Sequence, residues 1–148
     1  MRRKVPTWSS RIAVVLGCTI LAACASPPQP GPQLLAPTEE QMKIRSFQTR
    51  TFDVADQNAA MRAVIAALQD LGFIIERANE PLGLITAARF AEPDYYSIVG
   101  VTVTVRKKGK GKMEVRANAI FNNQPINDPE PYQNFFATVQ RSLFLTRD

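Results

Sequence analysis

The sequence predicts an α+β domain, a two-layer sandwich in which an antiparallel sheet of about five strands carries two helices on one face, in the order β-α-β-β-β-β-α. Three observations lead there. Residues 56–71 repeat apolar side chains at helical spacing, residues 96–106 and 113–121 alternate apolar with polar, and an aromatic stripe follows an Asp-Pro start at residue 128. Two antiparallel hairpins leave one sheet face apolar, and the two amphipathic helices are its cover.

Taken in order, residues 44–52 alternate loosely, with Phe47, Thr49 and Thr51 against Ser46, Gln48 and Arg50, which reads as a strand with a solvated side. Asp53 or Asp56 then caps a helix, because an Asp side chain accepts from the first unpaired N–H groups. Met61, Val64, Ile65, Leu68 and Leu71 form one stripe, and Gly72 stands where a left-handed closing residue is needed, so the helix spans 56–71. Residues 73–77 and 84–90 read as strands joined by the turn chemistry of Asn79, Pro81 and Gly83. In the next hairpin Val99, Val101, Val103 and Val105 point one way, matched after the loop 107–112 by Met113, Val115, Ala117, Ala119 and Phe121. Residues 122–131 read as a loop. Asp128 as cap, Pro129 at the first helical position and Glu130 in the first turn start the last helix, whose stripe is Tyr132, Phe135, Phe136, Val139 and Leu143.

Ahead of this domain, Arg2, Arg3, Lys4 and Arg11 precede an apolar run, residues 12–23, that ends in Leu21, Ala22, Ala23 and Cys24. The run has twelve residues, against about 20 for a bilayer span. This arrangement resembles the bacterial lipoprotein signal with its lipobox. The resemblance implies a signal peptide over 1–23, cleavage after Ala23, and acylation of the Cys24 thiol and of the new amino group, so that the protein is held to a membrane by lipid. Ala25 rather than Asp after the cysteine implies export to the outer membrane, on its periplasmic face. Residues 24–43 then form a linker. Its stretch 25–37 holds five prolines, which favour an extended spacer. The folded domain is expected over 44–148.

Removing the signal changes what the charge means. Four of the eighteen basic residues lie in 1–23 and none of the thirteen acids do, which leaves fourteen against thirteen in the 125 residues that follow. Nucleic-acid binding thereby loses its electrostatic support. Histidine is absent, and of the two cysteines Cys18 leaves with the signal while Cys24 takes lipid. Cys-His and Ser-His-Asp nucleophiles and His- or Cys-based zinc sites are therefore excluded, and no metal or cofactor is expected. The acid pairs Asp53 with Asp56 and Asp128 with Glu130 stand at helix starts, where capping accounts for them.

Three surfaces remain as candidates, one of them the polar, proline-bearing loop from Asn122 to Pro131. Arg106, Lys107, Lys108, Lys110 and Lys112 put five positive charges on one hairpin tip, suited to a solvated turn or to an anionic envelope surface. Tyr95 and Tyr96, in the connection that starts at Glu92, suit contact with a protein partner.

The amphipathic helix running into Leu71-Gly-Phe73, the apolar strand after it and the following Gly83-Leu-Ile-Thr86 strand resemble the helix-grip domains of the NlpB/BamC lipoproteins of the outer-membrane β-barrel assembly machinery. Leu68-Gln-Asp-Leu-Gly-Phe73 and Pro131-Tyr-Gln-Asn-Phe-Phe136 are similar to a group of small bacterial outer-membrane lipoproteins. Together these features lead to the expectation of a non-catalytic, membrane-anchored binding or scaffold module in cell-envelope assembly, with an envelope protein as partner. The alternative is a carrier that holds a lipid or other apolar ligand between helices and sheet.

Overall fold

In the computed structural model, which describes residues 36–91, 93 and 96–145, the elements follow in the order α1 (Glu39–Phe47), β1 (Thr49–Phe52), α2 (Gln57–Asp70), β2 (Ile74–Asn79), β3 (Leu84–Phe90), β4 (Ile98–Lys107), β5 (Met113–Phe121), β6 (Gln124–Pro125) and α3 (Pro129–Leu145). The sheet is antiparallel, ordered β1-β5-β4-β3-β2, with β6 also paired to β5. One face of it packs against α2 and α3 and the other is open, so the chain folds as the expected α+β class. All described residues but Ala36 belong to one compact unit, Pro37–Asp148. Every residue of the core cluster lies within that unit, which therefore carries its own core. Among the described residues, no helix is long and apolar enough to cross a membrane.

Both helices that cover the sheet have the expected caps. Asp56 accepts from the N–H groups of Asn58 and Ala59, and α2 buries Ala60, Met61, Ala63, Val64, Ala67 and Leu68. At its other end Gly72, at φ +80°, lets its own N–H reach Gln69 O and that of Phe73 reach Leu68 O, a left-handed closure that turns Phe73 back toward the sheet. Asp128 accepts from Glu130 N, and α3 buries Tyr132, Phe135, Phe136 and Val139 against Val101, Val103, Val105, Met113, Val115 and Ala117. Of the acid pairs, Asp56 and Asp128 thus cap helices, Glu130 sits in the first turn of α3, and Asp53 lies 3.6 Å from Lys112 Nζ.

Three elements depart from the expectation. Residues 44–47, read as strand, belong to helix α1, and the folded unit begins at Pro37 rather than at 44. The reason is local: Thr38 accepts from Gln41 N while the Gln41 side chain accepts from Thr38 N, and Glu39 and Glu40 sit in the first turn. Among the described residues the helix count is therefore three rather than two. Residues 122–131 are not all loop, because Asn122 and Asn123 adopt φ 45° and 67° and turn the chain back as the short strand β6. Finally β4 begins at Ile98, and Tyr96 lies in the turn before it.

β1 and β6 share one edge of β5 but leave a gap between them, which two side elements fill. Ala117 N donates to Gln48 O, and Ala119 N donates to the Tyr132 hydroxyl, which itself donates to Ile126 O and accepts from Gln48 Nε2. Tyr132 thus completes the ladder where no strand does, and Phe47 packs on its ring with centroids 5.4 Å apart.

Candidate functional site

The basic tip is the β4–β5 turn, closed by Lys108 N donating to Lys112 O with Gly109 and Gly111 at positive φ. Its five charges do not form one surface. Lys108 pairs with Glu114 and Lys112 with Asp53, both across neighbouring strands. Arg106 and Lys107 are successive strand residues and so face opposite sides of the sheet. Among the described residues, Arg106, Lys107 and Lys110 make no ion pair. Two of the five tip cations are thus paired with acids, and Arg106 and Lys107 point to opposite faces.

Tyr96 is 97% exposed in the turn before β4. Tyr95 lies outside the described residues, as do Cys24, the signal 1–23 and the linker up to residue 35. Among the described residues, no group of three or more His, Cys, Asp or Glu side chains could hold a metal ion.

A second site was not singled out from the sequence. The inward row of the β4–β5 hairpin is buried at Val101, Val103, Val105, Met113, Val115 and Ala117, but Val99 and Ala119 are half-buried and Phe121 is exposed. The helices leave that end of the sheet uncovered because α2 has already closed at Leu71 and α3 begins at Pro129. Between them lies a cleft of about 290 Å³. Its floor is Val99, Val101, Ala117 and Ala119; one wall is Leu68, Leu71 and Phe73, and the other is Ile126, Tyr132 and Phe135. The two alanines supply much of the space, since each lacks the side chain that a larger strand residue would lay over the floor. A smaller hollow of about 200 Å³ lies at the other end of α3, between Phe52, Val54, Gln140 and Leu143.

Polar groups in the cleft are few. The Tyr132 hydroxyl is committed to Ile126, Ala119 and Gln48. Arg89 and Asn134 are exposed lining residues and so stand at its rim. The Arg89 guanidinium is held 5.1 Å from the centroid of the Phe73 ring, a placement that fixes the cation without neutralising it. Among the described residues, no acidic side chain lines the cleft.

The open face of the sheet is polar along its middle, with Thr86, Thr102, Thr104, Arg116 and Asn118. Toward the same end as the cleft it turns apolar, where Ile74 is 69%, Phe90 55% and Ile98 48% exposed. Ile120 lies over Gly100, so close that a Cβ there would stand 3.2 Å from its Cγ1.

Compared with known proteins, the chain matches no family model and no curated protein sequence. Among solved structures it is similar to the adenylate sensor from AMP-activated protein kinase, crystallised with 5-aminoimidazole-4-carboxamide 1-β-D-ribofuranotide. That match has 12% identity, a TM-score of 0.47, and covers 64% of this chain and 94% of that one. A similarity of this degree assigns neither ligand nor activity to the present chain.

Proposed function

We propose that this protein is a lipid-anchored, non-catalytic carrier of the bacterial cell envelope, which takes an apolar ligand in the cleft between α2, α3 and the sheet. The cleft is the observation that carries the reading: an apolar hollow of about 290 Å³, near the lower end of the usual size of ligand pockets, about 300–1,000 Å³. The sequence supports the setting, with its lipobox at Cys24, its proline-rich spacer, and its lack of histidine and of a free mature cysteine. In this reading acyl chains on Cys24 hold the protein at the periplasmic face of the outer membrane, and the domain binds at a distance set by the spacer.

The scaffold reading keeps one supporting observation, the exposed apolar end of the open face at Ile74, Phe90, Ile98 and Ile120. A partner seated there would bury that patch, as protein interfaces bury apolar side chains at their centres. Photocrosslinking in cells separates the two. A photoreactive residue at Asn134 reports on the cleft rim, and one at Ile120 reports on the open face. The carrier reading expects a small-molecule adduct from Asn134 and none from Ile120. A discrete protein adduct from Ile120, with nothing captured at Asn134, would replace the carrier reading with the scaffold one.

A further inference from the structure

Resting on the cleft as the binding site, we infer that its ligand is a single-chain amphiphile with an anionic head, its chain between the helices and its head at Arg89. The chain follows from the lining. Apart from the rim, the described lining residues offer only apolar side chains and a Tyr132 hydroxyl whose bonds are already made to Ile126, Ala119 and Gln48. A polar group carried inside would lose its water with no replacement partner. The length follows from the volume. At about 30 Å³ for each water-sized group, 290 Å³ accepts a chain of about ten carbons.

The head follows from the rim. Among the described residues, Arg89 is the one charged residue that lines the cleft, and it is placed over Phe73. A guanidinium presents only donors and matches the two oxygens of a carboxylate or phosphate, and Asn134, also at the rim, adds an amide that can donate as well. A cationic head would meet Arg89 with no described lining residue to offset it, and a neutral alcohol would gain less from it.

The test uses residues 37–148, the unit that carries the whole core, labelled with ¹⁵N and titrated with decanoate, decanol and decyltrimethylammonium. Decanoate is expected to shift the amides of Leu71, Ala117, Ala119 and Asn134 while leaving those of Thr102 and Thr104 in place, and to bind more tightly than the other two. Arg89→Gln should weaken decanoate by about threefold to tenfold, as loss of a partly solvated ion pair does, and leave decanol unchanged. Ala119→Leu, which fills the floor, should keep the fold and abolish binding of every probe. A lysophosphatidylglycerol with a ten-carbon chain is compared with decanoate. Binding by either supports the inference, and the tighter of the two distinguishes a membrane-derived ligand from a free fatty acid. Equal binding of all three heads, insensitive to Arg89→Gln, overturns the anionic head and leaves the carrier reading standing. No shift at the cleft with any probe overturns both.

Discussion

Replacing Tyr132 by Phe removes one oxygen and leaves the ring, so it isolates the hydroxyl that closes the gap in the β5 edge. The residue is 2% exposed, and its hydroxyl takes the Ala119 N–H at 3.1 Å and donates to Ile126 O at 2.8 Å. Packing is unchanged because Phe47 still meets an aromatic ring, so no cavity contributes. What is lost is an acceptor for the Ala119 N–H, which no strand pairs, and for Gln48 Nε2, and a donor to a carbonyl that holds the chain between β6 and α3. Leaving a buried donor unsatisfied costs about 1–3 kcal/mol, and we expect about 2 kcal/mol here. Urea unfolding of residues 37–148 should show a lower midpoint with an unchanged slope, the sign of lost stability rather than of altered compactness. Hydrogen exchange adds a local reading. The Ala119 amide should lose protection, while that of Ala117, which donates to Gln48 O, should fall only with global stability. An unchanged midpoint with Ala119 still protected would show that the hydroxyl is dispensable and that the edge is closed some other way.

Further outcomes follow from the same structure. Gly83→Ala should destabilise by about 3 kcal/mol or more, because φ is +61° and a Cβ would lie 2.1 Å from Val105 O; Gly109→Ala, at φ +74° with open space around it, should cost only about 1 kcal/mol, and equal thermal melts for the two would refute the close approach. Leu68→Ala, at a side chain in the core cluster, should cost about 2–5 kcal/mol by urea unfolding, and a smaller loss would mean that the cleft relaxes to fill the space. Replacing Lys107, Lys108, Lys110 and Lys112 by Gln should change stability by less than about 1 kcal/mol, since the two ion pairs it removes are on the surface; a larger drop in the urea midpoint would show that the pairs hold the tip to β1 and β5. Cys24→Ser should give an uncleaved or soluble periplasmic species on fractionation, because serine lacks the thiol that acylation uses, and normal membrane association of that variant would refute the anchor.

Helix α2 was legible because independent signals coincide on it: an Asp cap, a stripe of one face and a closing Gly72. The strands of the β4–β5 hairpin were equally plain, since Val99 to Val105 alternates without interruption and a one-residue slip would turn the whole row to solvent. Helix α1 was missed because it buries no residue of its own, so periodicity carries no information there; the signal that could have found it is the Thr38–Gln41 capping pair behind Pro37. Asn122-Asn123, two residues that tolerate positive φ, was the available sign of β6. The ion pairs of the tip are not legible for a different reason. Its partners Glu114 and Asp53 are placed beside Lys108 and Lys112 by strand pairing, and a charge run read along the chain does not include what lies across it. The cleft had no linear signature. It arises where two helices separated by more than fifty residues both stop short over a floor with Ala117 and Ala119, which is a fact of tertiary arrangement.

The central claim is that the cleft is occupied in the cell, and native mass spectrometry of the mature, acylated protein taken from the membrane in its own lipid, without detergent, tests it most directly. The account predicts a releasable adduct of about one amphiphile per chain, present in the natural protein and absent from Ala119→Leu at equal yield and equal thermal stability. A natural protein whose mass is that of the acylated chain alone, or an adduct that persists undiminished in Ala119→Leu, would contradict it.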